Sequence, residues 1–139
     1  MSLHTILQRH YSEGRAMVDV RVVVINPQNL RQIAFNKRVK IDTGFDAGFH
    51  IRESEMADLQ TIGVRTTVGN VTLAGNITKT AYYCFGYLQR IGDYMLPAPG
   101  IEITLVFQGD RTEGLIGLES ISNWIVTFDG PSQQFKISV

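Results

Sequence analysis

An aspartate at the end of an apolar segment is the residue in this sequence whose surroundings most favour chemistry. The segment 39–41, Val-Lys-Ile, alternates like a strand and runs into Asp42-Thr43-Gly44. A carboxylate at the end of a buried strand is costly unless it is paired or used. The Thr43 hydroxyl can hydrogen-bond nearby backbone, and Gly44 lets the chain turn where a side chain would clash. Taken alone, the tripeptide is only a good turn sequence, because short motifs often match by chance.

A second motif lies 73 residues beyond Gly44. The apolar pair Leu115-Ile116 is closed by Gly117 and is followed by a segment, 118–124, whose apolar spacing predicts a short helix. This order indicates a buried strand that is followed by a helix, with Gly117 between them where the backbone must pass close to another part of the chain.

The elements that must position these motifs are mainly strands. Alternating apolar residues predict strands at 18–24, 31–41, 101–107, 125–128 and 134–139, with shorter ones at 49–51 and 115–116. The dipeptides Gly69-Asn70 and Gly75-Asn76 predict one or two hairpins between 64 and 88. Helical turns are predicted at 54–59, with Ser54 as the N-cap. The pattern indicates a small all-β, mainly antiparallel domain over 18–139, preceded by an N-terminal arm or outer strand at 1–17.

Composition narrows the class of protein. The 139 residues carry thirteen Lys+Arg and thirteen Asp+Glu, and the zero net charge argues against a nucleic-acid partner. No run approaches 18 apolar residues, so no membrane span is expected. The single cysteine, Cys84, and the absence of a visible signal peptide predict a reducing, cytoplasmic location. His4, His10 and His50 lack metal-ligand spacing, so neither a metal nor a cofactor is expected.

With both motifs in this order, the sequence resembles the retroviral-type (clan AA) aspartic proteases, and most closely the small prokaryotic members. The residues that carry the likeness are 41–51, Ile-Asp-Thr-Gly-Phe-Asp-Ala-Gly-Phe-His-Ile, together with Leu-Ile-Gly at 115–117. The closing segments 124–130 and 135–137 also fit, so the resemblance covers roughly 18–139. It implies a retropepsin-like closed β-barrel with one or two short helices.

The resemblance also implies a dimeric aspartic endopeptidase. Each subunit of the homodimer would contribute one catalytic aspartate, Asp42, to a site that uses an activated water to hydrolyse a peptide or protein substrate. Thr43, Gly44 and Gly117 would support the catalytic loop. The C-terminal strand 135–139, and the N-terminal arm with it, would join the subunits.

A flap over the site is the remaining implication. The hairpin at about 68–80 would close over substrate, with its tip at Ala74-Gly75-Asn76. Phe45 and Ile116 are the further residues predicted to contact substrate. The segment 81–100 is longer than in the smallest family members and has no counterpart there.

Alternatives remain beside these expectations. The same barrel could be a catalytically silent dimeric module that binds peptides or proteins, since folds host many functions. Asp46 could be a second acidic group in the cleft, a solvated residue or the anchor of an Asx turn.

Overall fold

The computed structural model describes residues 4–139. Within that range eleven strands and two short α-helices follow in chain order: β1 (Thr5–His10), β2 (Met17–Ile25), β3 (Gln32–Ile41), β4 (Phe49–Ile51), α1 (Ala57–Gln60), β5 (Thr67–Leu73), β6 (Ile77–Ile91), β7 (Tyr94–Met95), β8 (Ile101–Phe107), β9 (Gly114–Ile116), α2 (Leu118–Ile121), β10 (Ile125–Asp129) and β11 (Gln134–Ser138).

Six strands close into a barrel. Their order is β2-β3-β9-β4-β8-β6, and a further antiparallel pairing between β6 and β2 completes the circuit. Most neighbours are antiparallel, whereas β3–β9 and β4–β8 are parallel. The predicted all-β, mainly antiparallel closed barrel with two short helices is therefore confirmed.

Side-chain alternation explains how the barrel fills. Val20, Val22 and Val24 point inward from β2, because successive residues of a strand face opposite sides of the sheet. They share one apolar core with large buried side chains that include the rings of Phe49 and Phe107. The alternation in the sequence thus fixes which face of each strand is inside.

The turn between β2 and β3 is fixed by one buried amide. The Asn26 side-chain oxygen accepts the Gln28 N–H at 2.9 Å, and its Nδ2 donates to the Ile62 carbonyl at 2.8 Å. Asn26 therefore ties the β2–β3 turn to the segment that follows α1. This contact joins two loops far apart in the sequence.

The segment 64–91 forms one hairpin rather than two. β5 pairs with β6 over seven residue pairs, and the turn between them is 74–76, where Gly75 and Asn76 have φ values of +81° and +60°. The Gly69-Asn70 turn prediction is wrong, because both residues lie inside β5. Gly69 is small for a packing reason: a Cβ there would lie 2.7 Å from Cε2 of Tyr83.

Part of this hairpin stands away from the barrel. The pairing of β6 with β8 ends at Tyr82, so residues 77–81 are paired with β5 alone. At about 3.3 Å per residue these five residues extend roughly 17 Å past the barrel. The segment 81–100, for which the sequence predicts no role, is mostly the continuous second half of β6 inside the barrel wall.

The N-terminal segment is an outer strand over its described part, and residues 1–3 lie outside the described residues. β1 pairs with β11, which also pairs with β10, giving a three-stranded antiparallel sheet in the order β1-β11-β10. Phe135 and Ile137 of β11 are buried in the common core. The C-terminal strand is thus the middle of its sheet, with both edges paired inside the chain.

The predicted helical turns at 54–59 form, but not with the predicted cap. A 3-10 turn at Glu53–Met56 precedes α1, and its N-cap is Arg52, without a side-chain capping bond. Ser54 lies inside that turn, so its prediction as N-cap is wrong. Gly63, at φ +75°, ends the segment. Over residues 4–139 no helix has the length and apolar character to cross a membrane.

Removal of a core ring should cost far more stability than removal of an exposed ring on the same sheet. Phe107→Ala is expected to lower the free energy of unfolding by about 3–5 kcal/mol, because it leaves a cavity. Phe85, 70% exposed on the neighbouring strand, is the matched control, and Phe85→Ala should cost less than about 1 kcal/mol. Urea unfolding at one fixed protein concentration measures both. Equal losses would contradict this account of the core.

Candidate functional site

Asp42 lies where β3 leaves the barrel, beside the end of β9. β3 and β9 run parallel with Ile41 opposite Ile116, and the Asp42 N–H donates to the Ile116 carbonyl at 2.9 Å. The carboxylate Oδ1 accepts the Gly44 N–H at 2.9 Å, and the Phe45 N–H donates to the Asp42 carbonyl at 3.2 Å. The loop therefore holds one carboxylate oxygen in place. Among residues 4–139 the other oxygen accepts no hydrogen bond.

The predicted support residues lie on either side of this turn. Asp42 is half-buried, whereas Thr43 and Gly44 are exposed. Gly44 acts through its backbone N–H on the Asp42 carboxylate. The Thr43 hydroxyl makes no hydrogen bond within residues 4–139, so its predicted role as support for the catalytic loop stays a prediction.

Gly117 lies against the part of the Asp42 loop that contains Phe45 and Ala47. A Cβ at this position would collide with the backbone carbonyl oxygens of Phe45 and Ala47. The Gly117 N–H donates to the Gly48 carbonyl at 3.1 Å, and the Leu118 N–H donates to the Phe45 carbonyl at 2.8 Å. Residue 117 must therefore lack a side chain for the two backbones to hydrogen-bond at this distance.

Glu119, at the start of α2, links the same loop to β8, and the sequence did not single this residue out. The Glu119 carboxylate accepts the backbone N–H of Thr104 and, at 3.1 Å, its hydroxyl. The Glu119 N–H in turn donates to the Asp46 carbonyl at 3.2 Å. Asp46 contributes this backbone oxygen, and its side chain is exposed. A glutamate opposite a strand threonine has no local sequence signature, because the contact joins residues fifteen positions apart.

The two residues predicted to contact substrate lie on opposite sides of the wall. Phe45 is half-buried beside Asp42. Ile116 is fully buried in the core, and its prediction as a substrate contact is wrong, because the β3–β9 register turns it inward with Ile41. The neighbouring Leu115 takes the outer face, in register with Lys40 and His50.

His50 is a residue near Asp42 to which the sequence assigned no role. It is 4% exposed, its Nε2 lies 3.0 Å from the Gln108 carbonyl oxygen, and its ring centroid lies 5.6 Å from that of Phe45. Burial, the largest cause, lowers its pKa, and the Arg111 charge also lowers it, whereas the Gln108 bond and the Asp42 charge raise it. The signal in the sequence was a polar residue inside the otherwise apolar strand Phe49-His50-Ile51.

The hairpin tip lies at the predicted residues. Ala74, Gly75 and Asn76 form the exposed turn between β5 and β6. No hydrogen bond joins them to the Asp42 loop in the described chain. Within one subunit the hairpin tip and the Asp42 loop are therefore not joined by hydrogen bonds.

A large groove lies at the base of the hairpin rather than at Asp42. Its volume is about 1190 Å³. The floor is the outer face of β6 and β8, and the sides are the β2–β3 turn and the segment before β5. Its most prominent side chains are Leu30, Val64, Tyr83, Phe85, Tyr87 and Glu102. Asp42 is not part of its lining.

Other reactive groups are poorly placed for chemistry. Within residues 4–139 no cluster of three or more His, Cys, Asp and Glu side chains is arranged to hold a metal ion. Burial raises the pKa of the Cys84 thiol to about 12, so little thiolate, its nucleophilic form, exists near neutral pH.

No family of known proteins, no curated protein and no solved structure matches this chain.

Adding one methyl group at residue 117 should disturb this site. Gly117→Ala is expected to destabilise the protein by about 1–3 kcal/mol or more, because the new Cβ must push away two backbone carbonyls. Gly130→Ala is the control, since a Cβ there has no neighbour within 4 Å. Urea unfolding measures the losses, and amide NMR shifts at 42–48 report the displaced loop. Unchanged amide shifts at 42–48 in Gly117→Ala would contradict the close approach of the backbone at residue 117 to the Asp42 loop.

Proposed function

We propose that this protein is a dimeric aspartic endopeptidase. The observation that carries the proposal is the Asp42 carboxylate, which is half-buried at a strand end, held through one oxygen by the Gly44 N–H, and backed by Gly117. The resemblance of both motifs to the retroviral-type aspartic proteases supports the same reading. Its substrates are peptides or proteins, and the free thiol of Cys84 is in keeping with a reducing, cytoplasmic setting.

The proposed chemistry needs two such carboxylates. Two aspartates a few ångströms apart cannot both ionise readily, so they share one proton and titrate as a pair. The ionised aspartate takes a proton from a water molecule, whose oxygen then adds to the peptide carbonyl carbon. The protonated aspartate donates its proton to the carbonyl oxygen, and a proton later passes to the leaving nitrogen as the C–N bond breaks.

Each chain supplies only one of the two carboxylates. The sequence contains a single Asp-Thr-Gly, and the side chain of Asp46 in the same loop is exposed to solvent. A two-fold symmetric dimer brings two copies of one residue together at its axis. The proposal therefore requires a homodimer with Asp42 of each subunit at the axis.

The small three-stranded sheet offers a surface for that dimer. β10 is one of its edges, and Ile125 and Phe128 on it are 52% and 45% exposed. Exposed apolar edge strands are prone to pair with another chain. Both edges of β11 are already paired, with β1 and β10. The strand contact with the second subunit would therefore be made by β10 or β1, and β11 would lie between them in the sheet.

The β5–β6 hairpin is suited to act as the lid. It extends beyond the barrel as a two-stranded ribbon, and its tip is unpacked, since a Cβ added at Gly75 would have no neighbour within 4 Å. A ribbon with few contacts opens at low cost. Closure over a bound peptide would exclude water from the aspartate pair.

Replacing Asp42 by asparagine should abolish cleavage without unfolding the protein. Asparagine keeps the shape and the oxygen that accepts the Gly44 N–H, but it cannot ionise. Asp46→Asn, an exposed carboxylate in the same loop, is the matched control and should retain activity. A mixed peptide library at about pH 3 to 8, which brackets an aspartate pair, provides the measurement. Cleavage that survives in Asp42→Asn would rule out the proposed role.

Mixing the two chains tests whether the site is shared. When wild type and Asp42→Asn exchange subunits in equal amounts, only dimers with two wild-type chains should cut. Activity should then fall to about one quarter of that of the same total amount of wild type, against about one half if each chain worked alone. Sedimentation analysis of the same samples should give a dimer, and a persistent monomer with activity would contradict the proposal.

A catalytically silent binding module is the second candidate. The observation that favours it is the groove at the hairpin base, which is large, aromatic and separate from Asp42. On this reading a folded wild-type dimer binds peptides without turnover, and Asp42→Asn does not weaken binding. Cleavage of the peptide library that depends on Asp42 would rule out the silent binding module.

A further inference from the structure

His50 is a buried polar residue to which the proposed chemistry gives no role. It lies at the centre of β4, in register with Val106 of β8 on one side and Leu115 of β9 on the other. Its side chain shares the outer face of the wall with those residues rather than joining the core. A polar ring buried at this depth needs a hydrogen-bonding partner.

One ring nitrogen has that partner, and the partner fixes the neutral tautomer. The Gln108 carbonyl, 3.0 Å from Nε2, can only accept a hydrogen bond. Nε2 therefore carries the hydrogen, and Nδ1 is the unprotonated nitrogen of the neutral imidazole. Gln108 begins the turn after β8, and its own N–H donates to the Ile51 carbonyl at 3.0 Å. The ring is thus tied to the segment that runs on to Arg111.

The other neighbour of the ring is the turn that contains Asp42. The Phe45 ring lies against the imidazole at an interplanar angle of 40°. Phe45 also binds the Asp42 carbonyl through its N–H and Leu118 through its own carbonyl. A displacement of Phe45 would therefore pass directly to the backbone of Asp42.

We propose that His50 is the positioning residue for Asp42, holding Phe45 and the Asp42 turn in place as a neutral imidazole and releasing them when it is protonated. This inference rests on the proposed function for its catalytic consequence. It assigns to His50 no contact with substrate.

Burial and the charged groups around the ring together set the direction of the effect. Asp42 at the end of β3 favours the imidazolium, whereas Arg111 in the turn after β8 opposes it. Lys40 on β3 and Tyr83 on β6 share the sheet face, beyond Leu115 and Val106. Burial is the largest influence and opposes charging. Protonation would place a second cation near Arg111 in a poorly solvated position.

The pH dependence of stability follows from this balance. The pKa of His50 is lower in the folded protein than the usual 6.5. Below that value the unfolded chain binds the proton more readily, so stability falls as the pH falls. The contribution is complete above about pH 6.5 and is lost as the pH drops through the lowered folded pKa. Asp42 loop order should decline over the same window.

Three variants test the inference. In His50→Gln the amide Nε2 can still donate to Gln108 but cannot titrate near neutral pH. His50→Leu removes the donor altogether. His10→Gln is the same histidine-to-glutamine substitution at an exposed residue on β1, and it serves as the control.

The first measurement does not depend on cleavage. In wild type, NMR between about pH 4.5 and 8 should show the Phe45 amide shifting at the same midpoint as the His50 ring, below 6.5. His50→Gln should lose that component of the amide shift and the matching fall in melting temperature, while His10→Gln keeps both. A Phe45 amide that ignores the ring titration, or an unchanged profile in His50→Gln, would overturn the inference.

The second measurement is enzymatic. On the acid side, the fall of kcat should begin at lower pH in His50→Gln than in wild type, with KM little changed. His50→Leu should lower kcat by about tenfold at every pH, since a misplaced catalytic group reduces rate sharply. Wild-type kcat in His50→Leu would count against positioning. If wild type cuts no peptide at all, the proposed function fails, while the Phe45 amide titration still decides the role of His50.

Discussion

Two backbones cross beneath Asp42 at a distance that only glycine permits, and the rest of the candidate site depends on that crossing. At Gly117 the chain leaves β9 for α2 and runs against the carbonyls of Phe45 and Ala47. Because no side chain intervenes, N–H groups at 117, 118 and 119 reach the carbonyls of the 45–48 loop. Hydrogen bonds from one element to three positions of a loop fix its path more firmly than a single cap does.

The pairing of β9 in the barrel explains why the two backbones cross here. β9 lies between β3 and β4, parallel to the first and antiparallel to the second, so the Asp42–Gly48 loop must pass over its end. A carboxylate at that point is partly desolvated but still open on one side. Such an environment allows a carboxylate to be held in one orientation while an oxygen remains available for chemistry.

Local sequence patterns predicted the strands of the barrel wall well, but they could not predict contacts between residues that are distant in the sequence. The alternation around Val20 to Val24 is a property of neighbouring residues, so it could be read directly. Gly69-Asn70 has turn composition, but both residues pair with β6, and the Tyr83 ring of that strand occupies the space beside Gly69. Ser54 likewise has cap composition, but the 3-10 turn already begins at Glu53.

At the candidate site, Asp42 stood out as a carboxylate at the end of a strand, and the resemblance of the two motifs to the aspartic proteases implied that Gly117 would lie beside it. Ile116 was misplaced because register decides which member of an apolar pair faces inward, and register depends on pairing with β3. The partners of His50 and Glu119 could not be read from local patterns, since Gln108 and Thr104 lie 58 and 15 positions away.

Barrel closure also determines where this molecule can meet others. A closed barrel leaves no free strand edges in its wall, so the longer edges in the described chain belong to β5, β1 and β10. β5 lies on the projecting hairpin and the other two bound the small sheet. An extended peptide and a second copy both bind readily by adding strands to free edges. The free edges of the fold thus lie on two separate features, the projecting hairpin and the small three-stranded sheet, and neither edge belongs to the closed barrel wall that ends at Asp42.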